Sequence, residues 1–534
     1  MLSLRAKFVF RLVALLIAVP ALVEQLIHLE GGSLVSAAPL SSDSPSNLTV
    51  SDAGSHSFDT FLSPSTGLEL PLVARGPDES IESGGNAFMH LQQHINKARR
   101  RLAHITGTEV PTDEELHSAL QKRRLWIEDN WVPLQRRDAQ FQEEAEHHEA
   151  SLGAYLAAKS GKMINFVRRK GNQSSKLEAR SSSGYSKAAF NAAKEHSVTD
   201  APSVSADHSV GLSIEANDVG YFMNVNVGSN NKQFKMLIDS GSSDTWITGD
   251  DCSNCGGGNR NKLGKSTSSS LHTKSKQYKI SYGTGTVTIS EASDSMSIAG
   301  MKLSHFNFGV ASKESGDFGG SNVPFDGLLG LGGKSLSTTG DDTPIQALYN
   351  QKQVDQPVVG YRLGRVADGD NKGQITFGAV DSSQVSGSLN EYSNQGNGYW
   401  KIELGGVKVG NKDIGASGSA TLDTGTSLIV APPDQADAIH NAIKGAKSDG
   451  QGGYTLPCTT NVKLSFTFGG NSYTMNSKDL LFSVNGNNMK GTCVSAVSAG
   501  NSGKGDWLLG APFLKNVYFA TNTQTNKVAL GNLS

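Results

Sequence analysis

Apolar positions follow two rhythms along this chain of 534 residues. Between about 86 and 169 they recur every three or four positions, as in Leu91, Ile95, Ala98 and Leu102, or Leu116 and Leu120, with charged residues between them. That period predicts amphipathic helices. After about residue 205 it gives way to short alternating or apolar runs separated by Gly, Asn, Ser and Asp. Tyr221 to Val227 reads as a strand, and Tyr278 to Tyr282 and Lys463 to Phe468 alternate. Turn signals are dense, as at Gly256-Gly257-Gly258, Asp368-Gly369 and Gly469-Gly470. This half is therefore expected to be all-β, a sandwich or barrel of many short strands. It also holds one helix, Asp434 to Lys444, in which Ala436, Ile439, Ala442 and Ile443 share a face. At the start, Leu12 to Val23 follows Arg5, Lys7 and Arg11 and is short for a bilayer span. With the small residues Val35-Ser36-Ala37 it predicts a signal peptide over 1–37, in preference to a retained signal anchor.

Within the strand-rich half, two segments nearly repeat each other. Met236-Leu237-Ile238-Asp239-Ser240-Gly241-Ser242-Ser243 and Ala420-Thr421-Leu422-Asp423-Thr424-Gly425-Thr426-Ser427 stand 184 positions apart, Asp239 to Asp423. Each is an apolar run ending in Asp, a hydroxyl residue and Gly. A second element repeats in the same order: Phe325-Asp326-Gly327-Leu328-Leu329-Gly330 follows the first motif and Trp507-Leu508-Leu509-Gly510 the second. Such apolar runs suit buried strands behind an active-site loop. The repeats imply a duplicated half-molecule, each half lending one carboxylate to a shared site.

Composition narrows the classes. A net charge of -2 with 18% charged residues gives no reason to expect nucleic acid or an anionic membrane as partner. There are four cysteines, all after the first Asp motif. For an exported chain an even count suggests two disulfides, most simply Cys252 with Cys255 and Cys458 with Cys493. The competing readings of Cys252-x-x-Cys255 are zinc, which needs a second ligand pair, and a redox motif, which needs a βαβ unit. Asn47, Asn172 and Asn532 head glycosylation sequons.

Two carboxylates forced together cannot both ionise easily, so one pKa rises and the pair shares a proton. The ionised partner can then take a proton from a water while the protonated one hydrogen-bonds a substrate carbonyl. Gly241 and Gly425 would let the backbone turn tightly. Ser240, Ser242, Thr424 and Thr426 would hold the carboxylates by hydrogen bonds. Ser243 and Ser427 read as plain turn residues.

On these motifs the chain from about Ser205 to Ser534 resembles a pepsin-like aspartic endopeptidase. Ile280-Ser281-Tyr282-Gly283-Thr284-Gly285 resembles the family's flap hairpin, with Tyr282, Gly283 and Thr284 at its tip, and Trp246 matches the Trp that hydrogen-bonds the flap Tyr. Gly398-Tyr399-Trp400 and Asn526-Lys527-Val528 also resemble family segments, and both cysteine pairs fall where the family places disulfides. The resemblance implies a bilobal double-ψ barrel with the cleft between lobes, preceded by a partly helical propeptide. It implies hydrolysis of peptide bonds in acid by a water activated between Asp239 and Asp423, with no metal and no cofactor. Leu237, Phe325 and Leu328 would line the pocket before the scissile bond, favouring large apolar or aromatic side chains. The pattern departs from the family at Ser240, where Thr is usual, at Ala511, where many relatives have Asp, at Gly319 and Gly320, where an aromatic wall is common, and at Ser290 to Asp294, where a Gly-rich return strand is common.

The expected organisation is a signal peptide at 1–37, a propeptide at 38–204 and protease lobes at 205–388 and 389–534. The propeptide would act as an intramolecular inhibitor, with Lys187 or Lys194 set against the Asp pair. Its basic clusters (Arg99-Arg100-Arg101, Lys122-Arg123-Arg124, Arg136-Arg137 and Arg168-Arg169-Lys170) read either as processing sites or as solvated helix faces. Nine of the 13 histidines precede residue 200 and read either as a pH sensor or as plain surface residues. The product is expected to be a monomer without a stable membrane anchor, secreted or, as the lesser expectation, vacuolar. Two other classes compete: a binding protein that keeps the fold but not the reaction, and a glycosidase using the carboxylate pair. Retention of Asp239, Asp423 and Tyr282 disfavours the first, and hydroxyl-flanked duplicate loops disfavour the second.

Overall fold

The structure, a computed structural model, describes residues 85–159, 184–256, 260–283, 285–315, 318–320, 323–500 and 505–534. The signal peptide, Asn47, Asn172, the cluster at Arg168 and the flap residue Thr284 lie outside these residues. Among the described residues no helix is long and apolar enough to cross a membrane.

The helical rhythm of the first part becomes two helices, α1 (Gly85–Thr106) and α2 (Asp113–Lys159). Between them Gly107 takes φ +66°, a left-handed turn that suits glycine. α2 opens on a capping box: Glu115 N donates to Thr112 Oγ1 at 3.2 Å while Thr112 N donates to Glu115 Oε2 at 2.8 Å. A third helix, α3 (Lys187–Glu195), is capped by Ser186, whose hydroxyl accepts from Ala188 N.

From Ser209 onward strands dominate, and the two halves share one connectivity. In the first, Lys232–Asp239 pairs parallel with Gly327–Gly330, which runs antiparallel to Trp246–Ser253, which in turn pairs parallel with Met301–Glu314. In the second, Gly418–Leu422 pairs parallel with Asp506–Leu509, which runs antiparallel to Ile429–Ala431, which pairs parallel with Val497–Ala499. The duplicated apolar-Gly elements are thus the strands directly beside the Asp motifs. Their burial on both faces explains why they read as unbroken apolar runs rather than alternating ones. A six-stranded sheet joins Ser209–Gly211 and the strands between Val358 and Ser393 to the closing hairpin Val517–Asn522 and Lys527–Leu533. The expected lobe boundary at 388/389 falls inside its strand Val385–Ser393. The mostly-β fold of two like halves read from the sequence is the fold observed, with helices ahead of it. The expected helix after Asp434 runs Pro433–Asn441, ending earlier than Lys444.

α1 and α2 pack on the second half. Phe88, Leu91 and Ile95 share an apolar cluster with Leu428, Phe482 and Val494, and Ala98 and Leu102 pack with Val430 and Leu508. Burial of this stripe accounts for the three-and-four spacing of apolar residues. From α2, Arg123 is fully buried and donates to Asp449 Oδ2 at 2.5 Å and twice to Gln92 Oε1. Farther along, Asp138 accepts from Thr492 N at 2.8 Å and Arg137 donates to Thr455 Oγ1 at 2.6 Å. Lys122-Arg123-Arg124 is therefore no uniformly solvated face. Arg123→Met should weaken α2 docking by about 3–5 kcal/mol, since Asp449 would stay buried without a counter-charge. Thermal denaturation and amide exchange along α2 measure it.

Candidate active site

The two Asp loops meet each other directly. Ser240 N donates to Thr424 Oγ1 at 2.9 Å and Thr424 N donates to Ser240 Oγ at 3.0 Å. Each hydroxyl also donates onward, Ser240 Oγ to Leu422 O at 3.3 Å and Thr424 Oγ1 to Ile238 O at 3.1 Å. This reciprocal clasp needs a hydroxyl, not a methyl, which is why Ser serves at position 240.

Each carboxylate is held alike. Asp239 accepts from Gly241 N at 3.0 Å and Ser242 Oγ at 2.5 Å, and Asp423 accepts from Gly425 N at 2.9 Å and Thr426 Oγ1 at 2.6 Å. The carboxylates approach the opposite loop so closely that only glycine fits. A Cβ on Gly241 would lie 2.7 Å from Asp423 Oδ1, and one on Gly425 would lie 2.5 Å from Asp239 Oδ1. Ser243 and Ser427 stand apart from the carboxylates, donating to Gly333 O and Val219 O. They tie loops together, as turn residues do.

Between the carboxylates sits Arg101 of α1. Its Nε donates to Asp423 Oδ2 at 2.9 Å, and its Nη2 donates to Asp423 Oδ1 at 3.1 Å and to Asp239 Oδ1. The expectation of Lys187 or Lys194 in this place is corrected: both are exposed on α3, and Arg101 is the cation at the pair. The three arginines of that cluster differ in environment. Arg99 is exposed, Arg100 pairs with Asp113, and Arg101 is nearly buried. The apolar stripe Leu91–Ile95–Ala98–Leu102 marks the buried face of α1 but does not single out Arg101 among the three arginines.

Burial pushes the Asp239 carboxyl above its ordinary range; Arg101 opposes this and the nearby Asp423 adds to it. Burial also works to raise Asp423, but the charge and hydrogen bonds of Arg101, with those from Thr426 and Gly425, hold it below the ordinary value.

The flap strands His272–Tyr282 and Gly285–Ile298 arch over α1, and a Cβ on Gly283 would meet Lys97 O at 2.4 Å. Tyr282 Oη accepts from Trp246 Nε1 at 2.9 Å. Burial, then the charges of Asp244 and Asp239, drive the Tyr282 hydroxyl well above its usual pKa, so it remains a neutral donor. Phe325 and Leu328 belong to the apolar cluster around these two rings, with Leu237 against it. Sequence reasoning missed Phe318, whose ring stands edge-on to Trp246 and Tyr282. The departure at Ser290–Asp294 is still an ordinary part of the flap's return strand, where Asp294 accepts from Ser268 and Ser270. Cys252 is joined to Cys255 and Cys458 to Cys493.

Residues 220–533 match the family model described as eukaryotic aspartyl protease. The chain is 39% identical over 329 residues to a probable aspartic-type endopeptidase CTSD of Arthroderma benhamiae, a match covering 61% of this chain and 63% of that protein. It is 32% identical to an aspartic-type endopeptidase ctsD of Aspergillus fumigatus over 60% of this chain and 68% of the relative. It is also 32% identical to rhizopuspepsin-1 of Rhizopus niveus over 383 residues, covering 71% of this chain and 94% of the relative. The matched family model spans most of the strand-rich half, including both Asp loops and the flap, and the chain belongs to the eukaryotic aspartyl proteases.

Proposed function

We propose that the protein is an aspartic endopeptidase, made as a zymogen, that hydrolyses peptide bonds in acid. The observation that carries this reading is the pair of carboxylates from mirrored loops, close enough to bind one guanidinium and roofed by a flap tyrosine. With Arg101 withdrawn, two like charges at this separation would share one proton. One carboxylate then takes a proton from a water whose oxygen bonds to the substrate carbonyl carbon, while the other protonates the carbonyl oxygen. As the tetrahedral intermediate breaks its C–N bond, the first carboxyl gives its proton to the leaving nitrogen and an intermediate hydroxyl reprotonates the second, with no covalent enzyme adduct. Ser242 and Thr426 fix the outer oxygens, so the reacting geometry is set before substrate arrives.

In the described state α1 fills the cleft where a substrate chain would lie. Residues 38–204 are read as the propeptide, 1–37 as a cleaved leader, and 205–388 and 389–534 as the lobes. Substrates are proteins or peptides, with large apolar or aromatic side chains favoured in the pocket of Leu237, Phe325 and Leu328. The product is read as a monomer, secreted or, as the lesser reading, vacuolar. Acidified full-length protein should digest a denatured protein, and a statine-type transition-state analogue should abolish that digestion. Digestion that ignores the analogue would defeat the reading.

A further inference from the structure

Behind the flap lies an ion pair that the hydrolytic scheme leaves without a task. Arg260 and Glu314 have side chains only 3% and 0% exposed. Arg260 Nη1 donates to Glu314 Oε2 at 2.6 Å, its Nη2 donates to Thr248 Oγ1 at 2.5 Å, and Thr248 Oγ1 donates to Glu314 Oε1 at 2.7 Å. For stability alone, two apolar side chains of similar volume could replace such a closed pair. They could not supply one further bond: Nη1 also donates to the carbonyl oxygen of Phe318 at 2.8 Å.

Phe318 is the ring of this wall. Its centroid lies 5.5 Å from that of Trp246 and 5.2 Å from that of Tyr282, edge-on to both, as aromatic quadrupoles prefer. The next two residues are glycines pressed against the Cys252–Cys255 turn. A Cβ on Gly319 would lie 2.4 Å from Asn254 O, and one on Gly256 would lie 2.9 Å from Gly320 O. With no side chains at 319 and 320, the aromatic surface here depends on where Phe318 is held, and the guanidinium holds it from behind.

We propose that Arg260, fixed by Glu314 and Thr248, is a positioning residue for specificity. Through the Phe318 carbonyl it sets the width of the apolar pocket between flap and Asp239 that receives the side chain before the scissile bond. A large flat side chain gains most from a ring at a fixed place, whereas a small one touches little of it. This inference rests on the proteolytic reading above.

The test uses full-length protein activated in acid and two fluorogenic peptides that differ only in Phe or Ala before the scissile bond. Arg260→Met should lower kcat/KM for the Phe peptide by about tenfold, through KM, and leave the Ala peptide within about threefold. Arg260→Lys should recover at least about a third of the loss on a logarithmic scale, as one donor returns. The double variant Arg260→Met, Glu314→Leu should melt like wild type yet keep the lost discrimination. A double variant with the wild-type Phe-to-Ala ratio would overturn the proposal, as would equal losses on both peptides in Arg260→Met or no recovery in Arg260→Lys. Wild-type protein that cleaves neither peptide, or cleaves them undiminished after Asp239→Asn, would instead remove the proteolytic reading itself.

Discussion

Asp239→Asn lowers kcat on any peptide substrate by about a thousandfold or more, and Asp423→Asn does the same. The carboxamide keeps one oxygen to accept from Gly241 N and turns its NH2 to donate to Ser242 Oγ, and the Ser240–Thr424 clasp between the loops is untouched. What is lost is the proton that one carboxylate takes and the other gives, and general acid–base groups are worth roughly 10²–10⁴ in rate. Because the two act as a unit, the double variant falls little below either single one. Steady-state kinetics after acid activation, with melting curves as a control for folding, measure the effect. A single variant retaining a tenth of wild-type kcat would contradict the scheme.

Arg101→Met removes latency. The guanidinium makes charge-assisted bonds to both carboxylates, and a methionine would leave them facing apolar atoms. Activity near pH 6 without acid pretreatment should rise by roughly 100-fold, since truncating one member of a buried charged contact commonly costs 2–5 kcal/mol. The sign of the pH dependence follows from the two carboxyls. Asp423 is held below its ordinary range when Arg101 is docked, despite its burial. Its contribution to docking is therefore complete above the usual carboxylate pKa of about 4 and is lost as pH falls through the depressed value. Asp239, raised mainly by burial, takes up a proton earlier and gives up one of Arg101's partners first. Wild-type activation should steepen below about pH 4, and the variant should show a much flatter profile. Unchanged latency in Arg101→Met would remove Arg101 from this role.

Much of the site was legible because its chemistry is local in sequence. Asp, hydroxyl and Gly sit side by side in each loop, and the neighbouring strands Gly327–Gly330 and Asp506–Leu509 read as unbroken apolar runs since both their faces are buried. The flap and Trp246 were legible only through the family resemblance, for nothing in an alternating strand says that its tip will close over a distant Asp. Arg101 was not legible. Three adjacent arginines share the same local text, and what separates them is a contact across 322 positions. The expectation of Lys187 or Lys194 comes from the resemblance to zymogens with a basic side chain at the Asp pair, and that resemblance does not say which helix enters the cleft. Phe318 and Arg260 escaped for a similar reason: a Phe among glycines and an Arg after a Gly run gain meaning only when turn, disulfide and flap are stacked together.

The grip of α2 on the second half has one further consequence. Asp138, raised chiefly by burial, binds a proton more readily when docked than when free, so acid favours rather than opposes this contact. On the proposed zymogen reading, acid would loosen the plug at the carboxylates, while protonation of Asp138 would not weaken the strap of contacts beside Thr455 and Thr492. A plug on a fastened strap returns at an effective concentration on the order of millimolar, with no second molecule to find. Until the backbone is cut, neutralisation would reseal the cleft, and a brief acid exposure would open the protein without committing it.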